Sequence, residues 1–130
     1  MLRLWILLAA LDGATFVIIG AAGNHGVIGD PVLVRLFDTA SDYHAIHALA
    51  VLAIGFAGGR CGGVARRLVH AAAFAFVLGS GLFSGSLYLH AFVGVAPVAW
   101  LTPVGGGLMI LGWFALAASA AVMLRRPPAG

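Results

Sequence analysis

The near absence of charge is the feature that most constrains this chain. Among its 130 residues the only formal charges are seven arginines and four aspartates, 8% of the sequence, while 62% of the residues are hydrophobic. Ordinary soluble domains are roughly 25% charged, and a domain this small leaves much of its surface in water. A soluble globular fold is therefore excluded, and so is disorder, which needs low hydrophobicity and high charge. An integral membrane protein remains.

Four apolar stretches approach or exceed the length that crosses a bilayer core, about 20 helical residues. They cover residues of about 2–22, 43–59, 68–95 and 102–124. Between the first two, residues 30–42 place apolar side chains at helical spacing beside charged ones, which predicts a short amphipathic helix at the interface. We therefore expect an all-α integral membrane protein in which residues 1–130 form one compact four-helix bundle. For the first stretch, a signal peptide is the alternative.

The arginines predict the orientation of this bundle. In a four-span topology six of the seven fall on one side, namely Arg3, Arg60, Arg66, Arg67, Arg125 and Arg126. Because cytoplasmic ends carry the excess of basic residues, both termini should be cytoplasmic and residues 30–42 should face outward. The basic residues stand at helix ends, so the net charge of +3 indicates the lipid bilayer as partner and no nucleic acid.

Small residues within the spans predict close helix contacts. Gly55 and Gly59, and likewise Gly81 and Gly85, have the GxxxG spacing that lets helix backbones approach in lipid. We expect them to pack helices within the bundle; a homodimer face is the alternative.

Polar residues within the spans are candidate functional sites, because exposing them to lipid is costly. Asp12 lies near the middle of the first span, where it is a neutral, protonated acid, an acid hydrogen-bonded between helices, or a group with a proton- or ion-linked role. In the second span, Tyr43 and His47 are four residues apart and share a helix face. We expect that face to meet the buried polar stripe of Ser80, Ser84 and Tyr88 in the third span.

Histidines raise the alternative of a metal or haem site. His25, His44 and His47 all fall in the outward half, and imidazole is a common ligand of transition metals. Their spacing matches no recognised metal motif such as HExxH, so no cofactor is expected. No pairing of a nucleophile with a base stands out either, so we expect no enzymatic activity.

Four sequence blocks together resemble a known family. They are Gly20-Ala-Ala-Gly-Asn-His-Gly26, Phe37 to Ala50, Leu82-Phe-Ser-Gly-Ser-Leu-Tyr88, and Thr102-Pro-Val-Gly-Gly106 with Gly112-Trp113. In order and spacing they are similar to the small bacterial membrane proteins of the domain of unknown function 423 family, whose animal relatives are called transmembrane protein 256. Ala22 and Asn24 depart from the residues common in the family.

The resemblance implies four membrane helices, a bacterial inner membrane location and no established activity. The residues on motif positions are His25, Tyr43, His47, Ser84, Ser86, Tyr88 and Thr102, which with Asp12 form the candidate polar pocket. Three functions stay open: a non-enzymatic structural or accessory component, as a homo-oligomer or in a larger membrane complex; small-solute or ion binding and transport through an outward-facing pocket; or metal or haem binding.

Overall fold

The computed structural model describes residues 1–24, 28–94 and 100–125, and within them every regular element is helical. The elements are α1 (Leu2–Asn24), α2 (Pro31–Ala57), a 3₁₀ turn (Gly58–Arg60), α3 (Gly63–Val93) and α4 (Leu101–Leu124). Each of the four α-helices is long and apolar enough to cross a membrane. The predicted fold class, an all-α protein with four spans, is confirmed.

The segment predicted as a separate amphipathic helix is the first part of α2. Asp30 caps this helix by accepting a hydrogen bond from the Val32 backbone N–H at 2.7 Å, and Pro31 is its first residue. Residues 30–42 then continue into the second span without a break, because Phe37 and Ala40 are buried against α3 and not laid on a membrane surface. This corrects the expected start of the second span at residue 43.

The basic connection between α2 and α3 is also shorter than predicted. Only Cys61 and Gly62 separate the 3₁₀ turn from α3, which begins at Gly63 and not near residue 68. Gly63 takes a positive φ of 56°, which lets the chain reverse within so few residues. Arg66 and Arg67 consequently lie in the first turns of α3.

The helices follow one another as antiparallel neighbours, with α2 and α3 in the middle and α1 and α4 outside them. In their most hydropathic stretches, 39% of the residues of α2 and of α3 are buried, but only 11% in α1 and 17% in α4. We call the end where α1 and α3 begin and α2 and α4 end the arginine end. Its arginines, among the described residues, are Arg3, Arg60, Arg66, Arg67 and Arg125.

Two apolar clusters fill the interior. The cluster toward the arginine end joins α1, α2 and α3 and consists of Trp5, Ala9, Val51, Ile54, Val69, Ala72, Ala73 and Phe76. The cluster toward the opposite end consists of Phe37, Ala40, Leu87, Tyr88 and Ala91. In sequence, the buried His44 and His47 of α2 and Ser80 and Ser84 of α3 fall between the residues of the two clusters. The polar side chains therefore form a layer at the middle of the bundle.

Glycines set the closest helix contacts, although not all at the predicted positions. A Cβ at Gly105 would lie 2.5 Å from the Phe83 backbone nitrogen and 2.6 Å from the Gly79 oxygen, so α3 and α4 touch backbone to backbone. A Cβ at Gly55 would lie 2.5 Å from Ile6 Cγ1, so α1 lies close to α2 there.

Gly59, Gly81 and Gly85 take no part in such contacts. A Cβ at Gly59 would meet only Leu2 Cδ1, at 3.7 Å, and nothing of the chain lies within 4 Å of a Cβ at Gly81 or Gly85. This corrects the expectation that the second pair packs helices within the bundle. The GxxxG spacing identifies glycines that share a face, but the rotation of α3 turns that face outward.

Candidate functional site

The carboxyl group of Asp12 meets a histidine from the neighbouring helix. Asp12 Oδ1 on α1 lies 3.0 Å from His44 Nε2 on α2. The His44 side chain is buried, whereas that of Asp12 remains 29% exposed. The ring of Phe16 stands edge-on to the His44 imidazole at a centroid distance of 5.6 Å. The carboxyl group of Asp12 is thus partnered, and one side of it reaches the surface of the bundle.

A chain of hydrogen bonds continues from His44 into α3 and back to α2. His44 Nδ1 lies 3.3 Å from the Tyr88 hydroxyl, which in turn donates to Ser41 Oγ at 3.3 Å. Ser41 donates to the Phe37 carbonyl oxygen at 2.9 Å. We call Asp12, His44, Tyr88 and Ser41 the polar chain. It links three of the four helices.

The direction of these bonds fixes the protons of the polar chain. The single hydroxyl hydrogen of Ser41 goes to a carbonyl and that of Tyr88 goes to Ser41, so His44 Nδ1–H must be the donor to Tyr88. His44 Nε2 and Asp12 Oδ1 are within hydrogen-bonding distance at 3.0 Å, and a proton carried by either atom joins them.

His47 joins α2 to α4 through one of its two hydrogen bonds. Its Nδ1–H donates to the Tyr43 carbonyl oxygen at 2.7 Å, and its Nε2 accepts from the Trp113 indole N–H at 3.2 Å. The ring of Phe76 packs against it at a centroid distance of 5.1 Å. Both ring nitrogens are therefore occupied and the imidazole is in its neutral form, with the hydrogen on Nδ1.

The remaining candidate residues lie apart from these two histidines. Ser86 and Thr102 share a hydrogen bond of 2.7 Å between α3 and α4. Thr102 lies in the first turn of α4, which starts at Leu101. Ser84 Oγ is buried without a hydrogen-bond partner.

The structure joins only some of the eight predicted pocket residues. Asp12 and Tyr88 are connected through His44, Tyr43 and His47 through a backbone bond, and Ser86 with Thr102 directly. Tyr43 is half-exposed and packs on Phe83 at 4.7 Å. His25 lies outside the described residues.

Sequence reasoning missed several partners of the histidines. They are Ser41 in the polar chain, Trp113 beside His47, and Trp5, whose indole N–H donates to His70 Nδ1 at 2.8 Å. The residue types could have indicated the two tryptophan partners. An indole N–H can only donate a hydrogen bond, and a neutral histidine always has one nitrogen that can accept it.

No site for a metal ion emerges within the described part of the chain. There, no three side chains of His, Cys, Asp or Glu come together. Of the three candidate ligands, His44 and His47 contact different partners and His25 is not described.

Two cavities lie at the arginine end, and none of the eight predicted pocket residues lines either. One is an apolar groove of about 410 Å³ between α2, α3 and α4, bordered by Arg60. The other, of about 340 Å³, is lined by Met1, Leu2, Arg66, Arg67 and His70.

Comparison with known proteins identifies one family profile and several similar membrane proteins. The profile of the family described as "Protein of unknown function (DUF423)" matches residues 19–106. A UPF0382 membrane protein of Haemophilus influenzae is 36% identical over 115 residues, covering 87% of this chain and 90% of the relative.

Two further relatives cover both chains as fully. The UPF0382 membrane protein YwdK of Bacillus subtilis is 30% identical, covering 92% of this chain and 97% of its own. The UPF0382 inner membrane protein YgdD of Escherichia coli K12 is 34% identical, covering 95% and 93%. No solved structure matches the chain significantly.

Proposed function

Since the chain belongs to the DUF423 family of membrane proteins, a family without an assigned activity, its function has to be argued from its own geometry. We propose that it is a non-enzymatic accessory component of the membrane, which acts by packing against a second copy of itself or a larger membrane complex. The observation that carries this proposal is that Asp12, His44, His47 and Tyr88 are hydrogen-bonded within the bundle, mostly across helices, while the outer helix faces present apolar side chains and glycines.

The pairing of the polar groups supports a structural role for them. Asp12, His44 and Tyr88 satisfy one another, and His47 uses both nitrogens on Tyr43 and Trp113. A catalytic group has to face a space that a substrate enters. The donors and acceptors of these side chains are bonded to other residues of the bundle, and none of these side chains lines either described cavity.

The outward-facing surfaces of the helices support a partner that packs beside the bundle within the membrane. α1 and α4 bury few of their residues in the bundle and present large apolar side chains outward. On α3, Gly81 and Gly85 lie between the exposed Leu78 and Leu89, so that face has a notch without side chains. Small residues on a lipid-facing surface are where a second helix approaches a backbone most closely. The notch is therefore the first surface to test.

The proposal predicts a complex that survives gentle extraction. The full chain would be extracted from native membranes into a mild detergent and its mass measured by native mass spectrometry and crosslinking. Gly85→Leu fills the notch and should weaken the complex. Gly107→Leu on α4 is the matched control, because Gly107 also faces open space. A strictly monomeric chain without partners would contradict the proposal, and an equal effect of both variants would remove the α3 face from it.

A second candidate function is ion- or proton-linked transport, and one observation favours it. Asp12 is partly exposed and lies 3.0 Å from His44 Nε2, and intramembrane acids of this kind mark proton pathways. In liposomes with an internal pH dye, a transporter would collapse an imposed pH gradient and Asp12→Asn would abolish that activity. If wild-type liposomes hold the gradient as well as empty ones, this candidate fails.

We further propose an inner membrane location with both termini in the cytoplasm. The Escherichia coli relative is named an inner membrane protein. Five of the six described arginines lie at one end, and only Arg35 lies with Asp30, Asp38 and Asp42 toward the other, which supports the orientation. For metal or haem binding the described residues offer no cluster of ligands, so the absorption spectrum of the purified protein serves as the check on that alternative.

A further inference from the structure

The pocket between the starts of α1 and α3 concentrates positive charge. Arg66 and Arg67 line it together with His70, and Met1 and Leu2 form its apolar wall. Neither arginine has an ion pair, since the one salt bridge among the described residues joins Asp12 to His44. Asp12 is the one acidic residue of α1, and it lies near the middle of that helix. The pocket is therefore lined by two arginines with which no described acidic residue forms an ion pair.

The position of these arginines adds to the positive potential. They are the fourth and fifth residues of α3, whose first turn contains no acidic residue. The N-terminal end of a helix carries the positive end of its dipole, which favours anions and disfavours cations. Two cations at this place are stabilised if an anion binds between them and the helix start.

His70 supplies a third donor to the same pocket. The Trp5 indole can only donate, so His70 Nδ1 accepts its hydrogen bond at 2.8 Å. A neutral His70 therefore carries its hydrogen on Nε2, on the far side of the ring from Trp5, and no described residue accepts it. Arg66, Arg67 and His70 thus line a space of about 340 Å³ and bring three side chains that can donate hydrogen bonds to it.

We propose that this pocket binds the phosphate of an anionic phospholipid, with the lipid backbone against Met1 and Leu2. A phosphate offers the several charged acceptor oxygens that arginine forks recognise. A lipid is the source of this phosphate group, because the pocket lies at the starts of two membrane-spanning helices, where the lipid phosphates lie as well. Anionic lipid is preferred, because the uncompensated positive charge repels the cationic head of a zwitterionic one.

The test compares two doubly substituted full-length chains that lose the same charge from the same end. The first carries Arg66→Gln and Arg67→Gln, which remove both arginine charges from the lining of the pocket. Arg3→Gln with Arg125→Gln leaves the pocket intact, since neither residue lines it. Retained lipid would be measured by native mass spectrometry after incubation with phosphatidylglycerol or phosphatidylcholine. We expect phosphatidylglycerol binding to weaken at least about tenfold in the pocket variant and less than about twofold in the control.

Three results would overturn the proposal. Equal losses in the two doubly substituted chains would show a diffuse surface charge, and equal binding of phosphatidylcholine would show no preference for anionic lipid. Full competition by inorganic phosphate or glycerol phosphate alone would show a soluble ligand in place of the lipid.

A variant pair at His70 keeps the test decisive if the arginine variants fail to fold. His70→Gln retains both an acceptor for Trp5 and a donor, whereas His70→Leu retains neither. Phosphatidylglycerol binding should survive in the first and fall in the second, with thermal unfolding as the check that both are folded. If both retain wild-type binding, the pocket is not the site.

Discussion

Replacement of Asp12 tests whether the polar chain is a structural connection between helices. Asp12→Leu leaves His44 Nε2 buried without a partner, because the His44 side chain is only 7% exposed. A buried polar group that loses its partner costs about 1–3 kcal/mol, and hydrogen bonds between membrane helices average about 0.6 kcal/mol. We therefore expect Asp12→Leu to lower the free energy of unfolding by about 1–3 kcal/mol.

Asp12→Asn is the informative comparison, because it removes the ionisable group and keeps the hydrogen bond. The polar chain requires His44 Nδ1–H to donate to Tyr88, which leaves Nε2 as an acceptor for an amide N–H at position 12. Asp12→Asn should therefore stay within about 0.5 kcal/mol of the wild type. Both values would come from reversible unfolding in mixed micelles, followed by circular dichroism.

A double-mutant cycle with His44→Leu completes this test. The two leucine substitutions together remove both polar partners, so their combined cost should be smaller than the sum of the single costs by about 0.5–2 kcal/mol. If Asp12→Asn destabilises the protein as much as Asp12→Leu, or if the cycle shows no coupling, the reasoning is refuted. The first result would mean that the pair has to be ionic.

Three further predictions concern the other contacts. Gly105→Ala should destabilise the protein by about 1–3 kcal/mol, because its Cβ meets the α3 backbone, while Gly107→Ala should be neutral or slightly stabilising; thermal unfolding measures both. Trp113→Phe removes the hydrogen bond to His47 and should cost about 1 kcal/mol, with Phe at this position retaining the ring packing. A reporter fused after α4 should give a cytoplasmic signal and one inserted in residues 30–42 an external signal; the reverse would overturn the orientation.

The features that the sequence predicts well depend on neighbouring residues. A helix start such as Asp30-Pro31 and the length of each apolar stretch are properties of a short segment. The break predicted between residues 42 and 43 was wrong because it relied on the change from charged to apolar composition. A helix continues across such a change when its inner face stays apolar, and here the buried Phe37 and Ala40 form that face.

The features that escaped prediction depend on how the helices are rotated against one another. That Asp12 needs a partner follows from its place in a span. That the partner is His44 and not His47, one turn further along, follows only from the rotation of α1 against α2. The same holds for glycine: Gly79 touches α4, and Gly81, two residues later, faces outward.

The attachment of α1 follows from these contacts. In a bilayer, burying apolar residues between helices gains little, because lipid tails are as apolar as the side chains they replace. α1 has only Trp5 and Ala9 in the core, so its rotation is set by a few specific contacts. Two are hydrogen bonds to histidines, from Trp5 to His70 of α3 near the arginine end and between Asp12 and His44 of α2 at mid-span. The bond at Asp12 therefore fixes which face of α1 looks outward, and any molecule that binds that face acts on this bond as well.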